Sequence, residues 1–219
     1  MPLEGRMSKL QSTIVGYTNS ELKLTNSDRQ KNHLPKKPIF SEAVGYIATL
    51  YRLNGVNTII IGESAAAIYA HNDSLTGIIH IYILSQKEKC MLIAESIGFR
   101  YYGIERTTML FRHTDWGYTL LLDCTPNDYL FMEQKYSIIR INKYLIWVQA
   151  VERVLIRQLE QWDDFSQTHD MKQAALICFY NEVNINEIFL WAKRNRRENL
   201  YDNFIRTLEQ ISIDINRYR

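Results

Sequence analysis

Val56 to Leu84, VNTIIIGESAAAIYAHNDSLTGIIHIYIL, constrains the fold more than any other part of the 219-residue chain. Val56, Thr58, Ile59, Ile60 and Ile61 make a mostly β-branched run without a charge, the pattern of a strand buried on both faces. Gly62 ends it. Ser64 to Tyr69 is short and helix-forming, and its first backbone N–H groups point back at Gly62, where a phosphate can sit. A polar loop follows, and the apolar stretch ending at Leu84 predicts a second strand.

The rest of the chain supplies enough apolar material to bury such a unit. With 46% hydrophobic residues, 219 positions suffice for one good core or two small domains. A net charge of +2 is too near zero to announce a nucleic-acid-binding or membrane-surface protein by bulk electrostatics. Cys90, Cys124 and Cys178 are odd in number and far apart. They suggest buried thiols in a reducing compartment, with neither a disulfide framework nor a structural zinc site. No apolar run approaches the ~18 residues of a membrane span, and the N-terminus has no positively charged segment followed by an apolar one. The expectation is a cytoplasmic protein without a membrane partner.

In chain order, residues 1–40 are polar and unpatterned and are expected to form an arm. Ser41 is the expected N-cap of a helix running to about Leu53, stopped by Asn54-Gly55. Gln86 to Ile97 predicts a helix lying on a sheet as a crossover and ending at Gly98. Phe99 to Tyr102 predicts a short strand, and Thr107 to Phe111 with Tyr118 to Asp123 predicts a hairpin. Tyr136 to Val148 alternates as a further strand or hairpin. From Gln149 the period becomes helical, with apolar faces at Val151, Val154, Leu155 and Leu159, then Met171, Ala174, Ala175 and Cys178, then Ile185, Ile188, Phe189 and Ala192, then Leu200, Phe204 and Leu208. The expected domains are a 1–40 arm, a 41–147 α/β domain and a 148–219 helical subdomain.

A strand, a glycine followed by a small residue, a helix and then a strand bearing Asp-x-Asp is the pattern of the nucleotidyltransferase superfamily. The chain resembles its minimal and AbiEii-like bacterial branches. Gly62 matches the glycine, and Ser64 supplies the small residue one place late because Glu63 stands between. One register puts Ile78 and His80 at the two aspartate positions, and a shift of two puts His80 and Tyr82 there. Neither supplies a carboxylate pair. Asp123 falls where the family carries a third carboxylate on the neighbouring central strand. Glu152 and Arg157 match an acid and a basic residue of a following helix, and His169 to Gln173 matches a Lys-Asp-Leu-x-Asp-like segment with Gln173 in place of its last acid. The resemblance implies an α+β fold, a mixed sheet flanked by helices and followed by a helical subdomain.

It also implies a chemistry against which the departures can be weighed. Two-metal nucleotidyl transfer needs carboxylates to hold Mg²⁺ or Mn²⁺ against the attacking oxygen and the phosphates. Alternate strand residues share a face, which explains the Asp-x-Asp spacing. The implied nucleotide-binding residues are Gly62, Glu63 and Ser64, with Asp123 catalytic and His80 and Asp123 as metal ligands. Ile78 cannot bind a metal, His80 suits zinc, copper or nickel better than Mg²⁺, and Glu63 repels a triphosphate. Each residue also has a plainer role: His80 as a buried, hydrogen-bonded histidine, Asp123 as the cap of the Thr125 to Asp128 turn, and Glu63 as a first-turn helix acid.

The leading expectation is a nucleotidyltransferase-like protein with a degenerate site and a binding or regulatory role toward a nucleotide or a protein. The alternative is a divergent enzyme transferring NMP from NTP to RNA, protein or a small molecule, as a toxin–antitoxin or phage-defence component. Lys193, Arg194, Arg196 and Arg197 are the candidate contacts to nucleic acid. Tyr101, Tyr102, Trp116, Trp147, Trp162 and Trp191 are expected in the core or at an interface.

Overall fold

In the computed structural model, which describes residues 37–73, 76–84, 87–123, 136–165 and 168–217, the Val56–Leu84 unit sits at the middle of the sheet. Its strands are β1 (Asn57–Ile60) and β2 (Ile78–Leu84), joined by helix α2 (Gly62–Tyr69). Before it comes α1 (Phe40–Leu53). After it come α3 (Lys87–Ser96), β3 (Arg100–Glu105), β4 (Thr108–His113), β5 (Tyr118–Asp123), β6 (Tyr136–Ile141) and β7 (Tyr144–Gln149). Four helices complete the chain, α4 (Val151–Phe165), α5 (Thr168–Tyr180), α6 (Ile185–Arg194) and α7 (Glu198–Arg217). The expected arm up to residue 36, Cys124 and the turn after it, and the side chains of His169 and Asp170 lie outside the described residues.

The sheet order is β3-β4-β5-β2-β1-β7-β6. β1 lies between β2, to which it is antiparallel, and β7, to which it is parallel. This explains its uninterrupted apolar run: Thr58, Ile59 and Ile60 are all buried. β2 in turn pairs parallel with β5, so α3 carries the chain from β2 out to the edge strand β3 and the meander β3-β4-β5 brings it back. The Tyr136–Gln149 segment is a hairpin.

Alternation along the strands gives the outer half of the sheet two unlike faces. Ile79, Ile81 and Ile83 of β2, Leu120 and Leu122 of β5, and Met109 and Phe111 of β4 are buried on one face. Ile78, His80, Thr119, Leu121, Asp123, Thr108, Leu110 and Arg112 share the other, more open face. α2 packs against β2, α4 and α5, joining the sheet to the helices. Within the described residues, no helix is long and apolar enough to cross a membrane.

Two helix starts differ from expectation. α1 begins at Phe40 with Ile39 in the capping position and no side-chain cap. Ser41 is not the cap; its backbone N–H donates to Asp73 Oδ1 at 2.8 Å, so an acid from the loop after α2 satisfies the first turn that a local hydroxyl was expected to satisfy. α2 begins at Gly62, two residues earlier than its composition suggests. Cys90 is buried, and burial together with the nearby Glu152 charge pushes the Cys178 thiol up to about 12.

Candidate functional site

The junction of β1 and α2 depends on glycine. Gly62 has φ +60°, in the left-handed region. This sharp turn directs the first residues of α2 toward β2, and three hydrogen bonds fix it there. The Ile61 N–H donates to the His80 carbonyl at 3.1 Å. Ser64 Oγ donates to the Ile78 carbonyl at 2.8 Å and accepts from the His80 N–H at 2.7 Å. The single hydroxyl hydrogen of Ser64 is thereby committed to β2, and the side chain positions the strand.

His80 lies against this turn. A Cβ at position 62 would come within 3.2 Å of His80 Nδ1. Replacing Gly62 by alanine therefore costs left-handed strain of about 1–2 kcal/mol, with displacement of the imidazole. Chemical unfolding measures the first and histidine ring NMR shifts the second.

Glu63 points elsewhere. It is exposed, and its Oε2 accepts from Thr76 Oγ1 at 3.4 Å, while Thr76 Oγ1 accepts from the Ile78 N–H at 3.0 Å. On the neighbouring strand, Asp123 pairs level with Tyr82, one pleat from His80. It is half-buried, and Oδ1 accepts from Thr107 Oγ1 at 3.2 Å. Both expected registers of β2 thus lie on the open face beside Asp123. They differ in exposure: Ile78 is 36% accessible and Tyr82 only 2%.

His80 Nε2 is buried without a hydrogen-bond partner. Burial lowers the His80 pKa below 6.5; the Asp123 carboxylate opposes that shift and the Arg157 guanidinium adds to it. The imidazole is neutral at pH 7. Because the folded pKa lies below the unfolded one, the unfolded chain binds the proton first. Stability is full above about pH 6.5 and falls as pH drops toward the folded pKa. His80→Asn is expected to flatten that part of the pH–stability curve, as measured by urea unfolding in a buffer series.

The fit of a metal pair can be judged from the donors themselves. Ile78 has no lone pair, His80 offers one neutral nitrogen, Asp123 is a single carboxylate, and Glu63 is turned to Thr76. Among the described residues, no three His, Cys, Asp or Glu side chains converge to hold a metal ion. This donor set does not fit two Mg²⁺ or Mn²⁺ ions.

No protein-family model matches the chain, and no curated protein matches it by sequence. Solved structures do. An antigenic nucleotidyltransferase-like protein from Paracoccidioides brasiliensis is similar with a TM-score of 0.51 and 12% identity, over 76% of this chain and 92% of that one. The antibiotic-resistance factor ANT(2'')-Ia is similar with a TM-score of 0.52 and 17% identity, over 73% of this chain and 94% of that one. The fold is nucleotidyltransferase-like. At these identities the likeness is one of fold.

Within this nucleotidyltransferase-like fold the remaining candidates are scattered. Glu152 Oε1 accepts the Asn184 N–H at 3.1 Å and thereby ties α4 to the start of α6. Arg157 is exposed, and its charge acts on His80. Gln173 is buried. Lys193, Arg194 and Arg196 are exposed, whereas Arg197 is turned inward, 3.4 Å from Asp163 and over the Trp191 ring. Trp116 is in the core, but Tyr102 is 62% accessible. Thr76, the threonine that sets the Ile78–His80 register by resemblance, binds Glu63, and Thr107 has no signal as a partner of Asp123 in the sequence. Thr107 becomes visible once the β4–β5 register, Thr108 opposite Asp123, is known, and that register is not written in either strand alone.

Proposed function

We propose that this protein has kept the nucleotidyltransferase frame and lost the metal-dependent transfer reaction, and that it works by binding, to a partner protein or a nucleotide. One observation carries this reading: the open-face positions of β2 beside the Gly62 turn are Ile78, His80 and Tyr82, and the His80 imidazole lies against the glycine. Without a carboxylate pair on β2, no set of described residues there holds a divalent cation against a triphosphate. Glu63, at the start of α2, adds negative charge where phosphate would approach.

A second reading, a divergent active enzyme, is favoured by Asp123, which stands on β5 directly beside β2. Incubation with each radiolabelled NTP, Mg²⁺ or Mn²⁺, and RNA, protein or small-molecule acceptors separates the two. No transfer above that of heat-denatured protein is expected. Metal-dependent label transfer that Asp123→Ala abolishes would establish the enzyme and end the binding-only reading.

A further inference from the structure

β3 stands at one end of the sheet, paired with β4 on one side and with no strand on the other among the described residues. The outward backbone N–H and C=O groups of such an edge are a template for another chain. The side chains along it invite contact. Tyr101 is 41%, Tyr102 62% and Ile104 50% accessible, three large side chains within four residues. The register passes from Arg100↔Arg112 and Tyr101↔Phe111 to Gly103↔Leu110, so Tyr102 is the extra residue of a bulge. The bulge divides the edge into two short pairing segments and displays Tyr102 between them.

The charges supply the chemistry of the occupant. Arg100 and Arg112 are direct cross-strand partners, and both are exposed. Like charges directly opposite one another disfavour pairing, and neither arginine has a carboxylate partner among the described residues. The Arg112 guanidinium lies over the Tyr102 ring, 4.6 Å from its centroid, which keeps its charge beside the bulge. The acid of this strand, Glu105, is at the far end, followed by exposed Arg106.

We propose that the β3 edge receives an extended acidic segment of a partner protein. The segment adds as a further strand: its backbone pairs with β3, its carboxylates meet Arg100 and Arg112 on the face where Tyr102 holds the Arg112 guanidinium, and its alternate, apolar side chains lie on Tyr101 and Ile104 on the other face. Strand addition supplies backbone hydrogen bonds, and the arginines supply selection for negative charge. The β3 backbone edge is separated from β2 by β4 and β5, whereas Arg112 shares the open face with Ile78 and His80 through Thr119. Tyr102, on the edge strand itself, is therefore the position that reports on strand addition apart from nucleotide binding.

The test is a selection of random displayed peptides of about ten residues, long enough to span β3, against the immobilised full chain. Enriched peptides are expected to be acidic and to alternate with apolar residues. A synthetic copy should slow amide hydrogen exchange across Arg100–Glu105, and Tyr102→Ala and Arg112→Glu should each weaken its binding roughly tenfold or more. Lys193→Ala should not. Both substituted side chains are exposed, so unchanged circular dichroism and melting are expected in the variants. The proposal is overturned by no enrichment, by enrichment without acidic bias, or by binding indifferent to both substitutions. It is equally overturned if the Arg112-dependent ligand proves to be oligouridylate, or a second copy of the chain seen as a dimer in sedimentation.

Discussion

Ser64→Ala is expected to lower the unfolding free energy by about 2–4 kcal/mol, the largest effect of any single-atom deletion near the candidate site. The side chain is fully buried, and its hydroxyl serves the Ile78 carbonyl and the His80 N–H together. Alanine removes this partner from two part-buried groups at once, the His80 N–H and the Ile78 carbonyl, at the contact between α2 and β2. Urea unfolding followed by circular dichroism measures the loss, with an unchanged denaturant slope if the native fold is kept. Glu63→Gln is the contrast: an exposed side chain with one 3.4 Å bond should cost less than about 0.5 kcal/mol. Equal effects at the two positions would mean that Ser64 does not pin β2.

Gly45→Ala is expected to cost about 1–3 kcal/mol through overpacking. Gly45 is buried in α1, and a Cβ there would lie 2.6 Å from Tyr144 Cδ2, 2.9 Å from Cγ and 3.0 Å from Cβ. The close approach reaches the root of the Tyr144 side chain, so turning the ring alone does not relieve it. α1 and β7 must separate. A double-mutant cycle with Tyr144→Ala should show coupling, the second substitution recovering part of the first loss. Strict additivity would show that the two elements already have slack.

Much of the fold was legible because burial imposes period. β1 is central and covered on both faces, and its sequence is an unbroken β-branched run. The C-terminal helices bury Val154, Leu155, Leu159, Ala174 and Ala175 at helical spacing. What remained hidden depends on partners distant in sequence. Ser41 looked like a local cap, yet the group that satisfies the first turn of α1 is Asp73, thirty-two residues on. Arg197 belongs by sequence to a basic run, yet it is half-buried, 3.4 Å from Asp163 on α4. Tyr102 is exposed because a bulge adds a residue to β3, and a bulge is a property of two strands.

The candidate site divides in the same way. Gly62 and the alternate residues Ile78, His80 and Tyr82 could be read directly, since a strand ending in glycine and the identities of alternate residues are local facts. The pairing of β2 with β5, which brings Asp123 alongside, was an expectation from resemblance that the register bears out. The diversion of Glu63 to Thr76 and the commitment of the Ser64 hydroxyl could not be read, because each depends on where the loop before Ile78 returns.

The most direct measurement is isothermal titration of the full chain with ATP, GTP, CTP and UTP, each with Mg²⁺ and then Mn²⁺, beside an Asp123→Ala control. Loss of the metal site predicts that neither cation strengthens the binding of any nucleotide, and that the control behaves as the parent. Mg²⁺- or Mn²⁺-dependent binding that disappears with Asp123 would contradict it, and would show that Asp123 belongs to a working metal–nucleotide site.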